Sequence, residues 1–164
     1  MSVGITNGEP TGEAQLTLTT PRATDYYYGA VATTRTLVVV GAPGRLAPTP
    51  GGTVYVFAAD DGHVIQTIGN PGATTEAFGA SLAIRGRRLL VLAPVDGDDT
   101  RPAGTVYLFD LRTGRLRGRL AIDDDARSGQ LGSVVFLRRG LAFSTWVFGT
   151  PGELGIDFRY TLPR

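Results

Sequence analysis

Apolar positions along this chain fall in short runs separated by clusters of Gly, Pro, Asp and Thr. Two kinds of run recur. LVVV (37–40) and LLVL (89–92) are continuously apolar, which predicts strands buried on both faces. GTVYVF (52–57) and GTVYLF (104–109) alternate with period two and are rich in β-branched and aromatic residues, which predicts strands of a pleated sheet. Their Tyr and Phe are expected on opposite sides of the pleat, each lying between neighbouring sheets. No segment combines a 3.6-residue apolar period with helix caps, so helix content is expected to be close to nil.

The runs recur in a fixed order. Tyr28-Gly29, Phe78-Gly79 and Leu131-Gly132 mark three starts, and after the first two comes the same sequence of events. YGAVATT or FGASLAI leads to RTLVVVGAP or RRLLVLAP, then a variable loop, GTVYVF or GTVYLF, a turn (AADDG or DLRTG), and HVIQTI or RLRGRLAI. Each unit therefore reads as four short antiparallel strands. A unit of this kind recurring about every fifty residues is the sequence pattern of a β-propeller blade. A sandwich has no reason to repeat its sequence, and solenoid repeats are shorter. The fold class expected is all-β, with three four-stranded blades over units 28–77, 78–130 and 131–162. Gly29, Gly79 and Gly132 are expected where the innermost strands crowd one another and a side chain would not fit.

The letters that repeat resemble the FG-GAP repeat, best known from the head of integrin α chains. Its carriers here are Phe78, Gly79, Ser81, Ala83, Ala93, Pro94, Gly104, Tyr107 and Phe109, with Tyr28, Gly29, Gly41, Ala42, Pro43, Gly52, Tyr55 and Phe57 in the first unit. DLRTGR (110–115) is similar, more weakly, to the turn of quinoprotein-type propellers. The resemblance implies a cell-surface or extracellular setting, against a cytoplasmic one if the chain is full length. FG-GAP domains often hold calcium on a D-x-D-x-D-G loop between the first two strands. Here those loops read ATTRT, IRGRR and LRRG, so no calcium site is carried over and no cofactor is expected.

The third unit stops at GIDFRYTL (155–162), without a fourth strand. The missing piece is read at the other end, because LTLTTPRATDYYYG (16–29) aligns without a gap on QTIGNPGATTEAFG (66–79). Residues 14–20 are thus an outer strand in permuted order, residues 1–13 a tail, and 14–164 one domain of twelve strands. Three blades are too few to close a ring. Two copies that exchange the N-terminal strand would make six blades across an isologous interface, and this homodimer is the expected assembly. A fragment of a longer propeller, or of a larger surface protein, is the alternative.

Composition narrows the chemistry. The chain has no cysteine, hence no disulfide, thiolate metal site or cysteine nucleophile. It has no lysine, as a codon-biased genome would produce, and its net charge of +1 argues against a nucleic-acid partner. No leader or membrane span is legible, so no membrane insertion is expected. His63, the one histidine, falls in a turn; Ser81, Ser133 and Ser144 lie on strands without a base beside them. The expectation is a non-catalytic scaffold binding a protein or glycan through its loops, with a propeller hydrolase or lyase as the alternative. Sorting charges by loop polarises the molecule. One face collects Arg35, Arg85, Arg87, Arg88, Arg112, Arg115, Arg138 and Arg139 against Asp60, Asp61 and Asp110. The other is acidic, with Asp96, Asp98, Asp99, Asp123, Asp124 and Asp125. Its long loops make Arg45, Asp96, Asp98, Asp99, Arg101 and Trp146 the candidate ligand-binding residues, the three aspartates being also a weak metal candidate.

Overall fold

The computed structural model describes residues 2–5, 16–21, 29–44, 51–72, 77–94, 104–122, 129–138, 140–147 and 154–160. Among them there is no helix, and every sheet is antiparallel. The strands are β1 (Ser2–Ile5), β2 (Leu16–Thr19), β3 (Ala30–Thr33), β4 (Leu37–Ala42), β5 (Thr53–Ala58), β6 (Val64–Gly69) and β7 (Ser81–Arg85). They continue with β8 (Arg88–Pro94), β9 (Gly104–Asp110), β10 (Leu116–Ile122), β11 (Gly129–Leu137), β12 (Gly140–Val147) and β13 (Leu154–Tyr160). Two four-stranded meanders, β3-β4-β5-β6 and β7-β8-β9-β10, are followed by the three-stranded β11-β12-β13 and preceded by the pair β1-β2.

The repeat is legible in the pairing register. In the first sheet Val40 faces Tyr55 and Val54 faces Ile68; in the second Val91 faces Tyr107 and Val106 faces Leu120. Continuous apolar runs follow from this layering. Val38, Val39 and Val40 are at most 2% exposed, and Leu89, Leu90, Val91 and Leu92 are fully buried, because each middle strand is covered on both faces. Alternate residues of one strand enter different cores. Val39, Val54, Val56 and Ile68 of the first sheet pack against Leu89, Val91, Ala93, Tyr107 and Phe109 of the second. Leu90, Leu92 and Val106 on the other face of the second sheet pack against Leu131, Val134 and Leu141 of the third.

The aromatic placement differs from the sequence expectation. Tyr55 and Phe57 lie in one core and Tyr107 and Phe109 in another, so each pair shares a face. Residues two apart on a strand point the same way, and opposite sides would have needed an odd spacing. Their rings are 6.2 and 6.4 Å apart, and Phe78 meets Tyr107 and Phe109 edge-on at 5.6 and 5.9 Å. That edge-to-face geometry is the favourable one for ring quadrupoles.

The glycines that open β3 and β7 sit at a crowded contact, as their sequence position implies. A Cβ on Gly29 would lie 2.8 Å from the Gly79 carbonyl oxygen, and one on Gly41 only 1.9 Å from it. Gly79 itself has φ of 99°, which side-chain-bearing residues avoid. The first and second sheets thus approach backbone to backbone at this edge.

At the N-terminus the chain has one more strand than expected. Residues 2–5, assigned from sequence to a tail, form β1 and pair with β2 through Val3–Leu18 and Gly4–Thr17. Leu18 is 2% exposed and packs with Val38, Val40, Ala42, Tyr55 and Phe57 of the first sheet. Ile68 of β6 does the same to the second sheet, so Leu18 holds the place that its alignment with Ile68 gives it.

Candidate functional site: an arginine-rich turn face

Two short turns lie side by side at one end of each four-stranded sheet. The amide of Ala59, in the β5–β6 turn, donates to the carbonyl of Thr36 in the β3–β4 turn at 3.0 Å. One sheet on, the Leu111 amide donates to the Arg87 carbonyl at 2.7 Å. These bonds put the turns of the first-to-second and third-to-fourth strands on a common face. Seven of the eight arginines assigned to that face, Arg35, Arg85, Arg87, Arg88, Arg112, Arg115 and Arg138, are described, and all are exposed. Arg139 lies outside the described residues.

The backbone of the turn is the same in both sheets. Gly62 donates to the Ala58 carbonyl at 3.1 Å and Gly114 to the Asp110 carbonyl at 2.8 Å, with φ of 74° and 64°. Left-handed φ at that position is what glycine supplies without a Cβ penalty. The side chains differ. Asp110, 7% exposed, accepts from the amides of Arg112 and Thr113 at 3.0 and 3.2 Å. Its other oxygen receives the guanidinium groups of Arg87 and Arg117, both at 3.0 Å. The Arg117 hydrogen bond above all, then the Thr113 amide, the charge of Arg87 and the Arg112 amide, hold the Asp110 carboxyl well below the usual carboxylate range, against the opposing effect of burial. One buried carboxylate thereby fixes two exposed arginines.

In the first sheet Ala58 takes the place of Asp110, and the acidic groups move outward. Asp61 accepts from the His63 amide at 3.0 Å and meets the His63 Nδ1 at 2.6 Å. These contacts, the amide first and the ring second, lower the Asp61 carboxyl. Asp60, Asp61 and His63 bring their ligand atoms within 4.8 Å of one another, and among the described residues they are the one such group. All three are exposed, so the cluster is a solvated turn with an internal Asp–His hydrogen bond rather than a preformed cage. His63 is thus the surface turn histidine that its sequence position implies, its side chain 63% exposed.

The other candidates fare unevenly. Arg45, Asp96, Asp98, Asp99 and Arg101 lie outside the described residues, as do Asp123, Asp124 and Asp125 of the acidic face. Trp146 lies in β12, its backbone paired with Gln130 on one side and Leu154 on the other. Ser81 has a structural partner: its Oγ accepts from the Val134 amide at 3.2 Å, tying β7 to β11 beside a register shift in β11. Arg85 also spans this junction, donating to the Leu137 carbonyl with its guanidinium 4.8 Å from the centre of the Phe136 ring. Sequence reasoning missed the Asp110 clamp, although an Asp ending a strand before R-T-G is a recognisable Asx turn. Arg117, seven residues further on, carried no such signal.

The face as a whole can bind anions through exposed guanidinium groups, some of them pinned, and can attract them from a distance. No helix among the described residues is long and apolar enough to cross a membrane. No family model matches the chain, and no curated protein matches it.

Proposed function

We propose that this chain is a non-catalytic β-propeller module of the FG-GAP kind that recognises an anionic protein or glycan surface through its arginine-rich turn face. Each four-stranded sheet is a blade, and the propeller reading rests on the repeated register and on the stacking of successive sheets through equivalent residues. The observation that carries the binding reading is the row of exposed arginines on turns fixed to one another by the Thr36–Ala59 and Arg87–Leu111 hydrogen bonds. A rigid scaffold that spaces guanidinium groups along one face suits sulfated or carboxylated surfaces, whose anions are spread rather than clustered.

Two copies complete the ring in this proposal, each β2 region contributing to the last blade of its partner. The acidic stretches of the sequence that carry Arg45, Asp96, Asp98, Asp99 and Arg101 offer a second recognition surface in this proposal, suited to a basic partner.

The test is binding to a panel of sulfated and carboxylated glycans and acidic peptides, wild type against a variant carrying R88E, R112E, R115E and R138E. None of these four side chains belongs to the Asp110 clamp, so the fold should survive the exchange. Wild-type binding should weaken with salt, and the variant should lose it by tenfold or more, about 1.4 kcal/mol. Retention unchanged by charge reversal, or binding that is indifferent to salt, rejects the turn face as the recognition surface. Light scattering tests the ring: a monomer throughout the micromolar range rejects the two-copy assembly.

A further inference from the structure

One place in the closing blade has two claimants. The pair β1-β2 repeats the pairing of β5 with β6: Val3 faces Leu18 as Val54 faces Ile68. It therefore stands as the third and fourth strands of a blade that precedes β3–β6. The sheet β11-β12-β13 supplies first, second and third strands. Joined across a two-copy seam, these five strands compete for the four positions of one blade. The third position is the contested one, since β1 and β13 each hold the place of a third strand.

The seam is also where apolar surface is left open. Val31 pairs with Val40 as Leu82 pairs with Val91, so the two occupy equivalent sites. Leu82 is packed into the core between the first and second sheets, whereas Val31 is 49% exposed. At the far end Val135 pairs with Ala142 as Ala83 pairs with Leu90. Ala83 packs against the third sheet, and Val135 is 50% exposed. Among the described residues, no first or second strand of a preceding blade covers Val31, and no following blade covers Val135. A second copy supplies both at once.

We infer that β1 is a displaceable edge strand that occupies, within one copy, the place beside β2 taken on assembly by β13 of a second copy. This rests on the two-copy ring proposed above. The direction of exchange follows from the pairing. Removing β1 from β2 gives up four residue pairs, and β13 can replace them on β2 while keeping its own pairing with β12. Keeping β1 would instead require β13 to leave β12, breaking five residue pairs, for a new contact between β12 and a four-residue strand. Only the first exchange leaves β13 paired on both edges, which is how an unpaired strand edge is made safe. Residues 2–5 thus act as an internal competitor that shields the β2 edge and sets the threshold for dimer formation.

The chain has no cysteine, so a single engineered disulfide gives an unambiguous test. Ser2 and Thr19 are directly paired, within the span a disulfide bridges. In the 164-residue chain carrying S2C and T19C, oxidation should lock β1 onto β2 and raise the dimer dissociation constant at least tenfold. Dithiothreitol should return it to the wild-type value in the same sample, which separates locking from misfolding. Conversely, V3P with G4P places a proline on whichever edge of β1 bonds to β2, and should tighten the dimer by about tenfold. Sedimentation equilibrium reads both. A wild-type dimer that the lock leaves intact, or that the prolines weaken, overturns the exchange while sparing the ring. A wild type that stays monomeric, locked or unlocked, overturns both.

Discussion

Phe78 offers the most direct test of how the sheets are held together. It is fully buried at the mouth of β7, edge-on to Tyr107 and Phe109, in the core shared by the first two sheets. F78A removes the ring and leaves a cavity whose walls are middle strands that cannot collapse inward, so the cost should be about 3–5 kcal/mol. F78L keeps most of the volume and loses the two ring contacts, worth about 0.5–1.5 kcal/mol each, so it should cost about 1–3 kcal/mol. With a urea slope of about 2–3 kcal/mol per molar for a chain this size, F78A should lower the unfolding midpoint by about 1–2 M. The single tryptophan, Trp146, reports on the third sheet, and far-ultraviolet circular dichroism reports on all strands. Coincident transitions would show that the sheets unfold as one unit. A midpoint shift for F78A below about 0.3 M, at unchanged slope, would refute the packing of the first two sheets through this ring layer.

Three further outcomes follow from particular contacts. G41A sets a Cβ 1.9 Å from the Gly79 carbonyl and should cost about 1–3 kcal/mol or more in thermal or urea unfolding, whereas G118A, with nothing within 4 Å, should stabilise by about 0.5–1 kcal/mol. Because the folded carboxyl of Asp110 is depressed, the unfolded chain binds its proton first; the contribution of Asp110 is complete above about pH 4 and is lost as pH falls below that toward the folded value. Wild type should therefore lose stability more steeply than D110N between pH 4 and 2, and a parallel decline in equilibrium unfolding would contradict the Arg117–Asp110 bond. R85A removes both the bond to the Leu137 carbonyl and the contact over Phe136, and should destabilise by about 1 kcal/mol in urea unfolding.

The repeating strands were legible because their signal is local and redundant. The LVVV and LLVL runs announce burial on two faces, and GTVYVF beside GTVYLF announces equivalent strands, which the register reproduces at Val54–Ile68 and Val106–Leu120. Leu18, which aligns on Ile68, is buried as Ile68 is. β1 was not legible: SVGI is four residues long, and although Asn7-Gly8 is a turn signal, its partner Leu16–Thr19 begins only after ten intervening residues. The face of Tyr55 and Phe57 needed only correct counting along the strand. The Asp110 clamp lay beyond local pattern, since Arg87 belongs to a different turn and meets the carboxylate only once the meander has formed.

The two equivalent turns show how this fold separates backbone geometry from surface charge. Their main-chain bonds largely match: Ala58 to the His63 carbonyl and Asp110 to the Arg115 carbonyl, Ala59 to Thr36 and Leu111 to Arg87, the second turn adding Thr113 to the Asp110 carbonyl. The geometry of the turn therefore does not depend on the carboxylate, because Ala58 sustains it without one. Asp110 is free to serve another end, and it holds Arg87 and Arg117 at fixed points on the surface while neutralising only one of the two charges. In the first sheet the same backbone presents Asp60 and Asp61 to solvent, so the two turns offer opposite charge from identical frames. Variation confined to side chains on a shared turn leaves inter-sheet packing untouched, so the charge this face carries can change without cost to the fold.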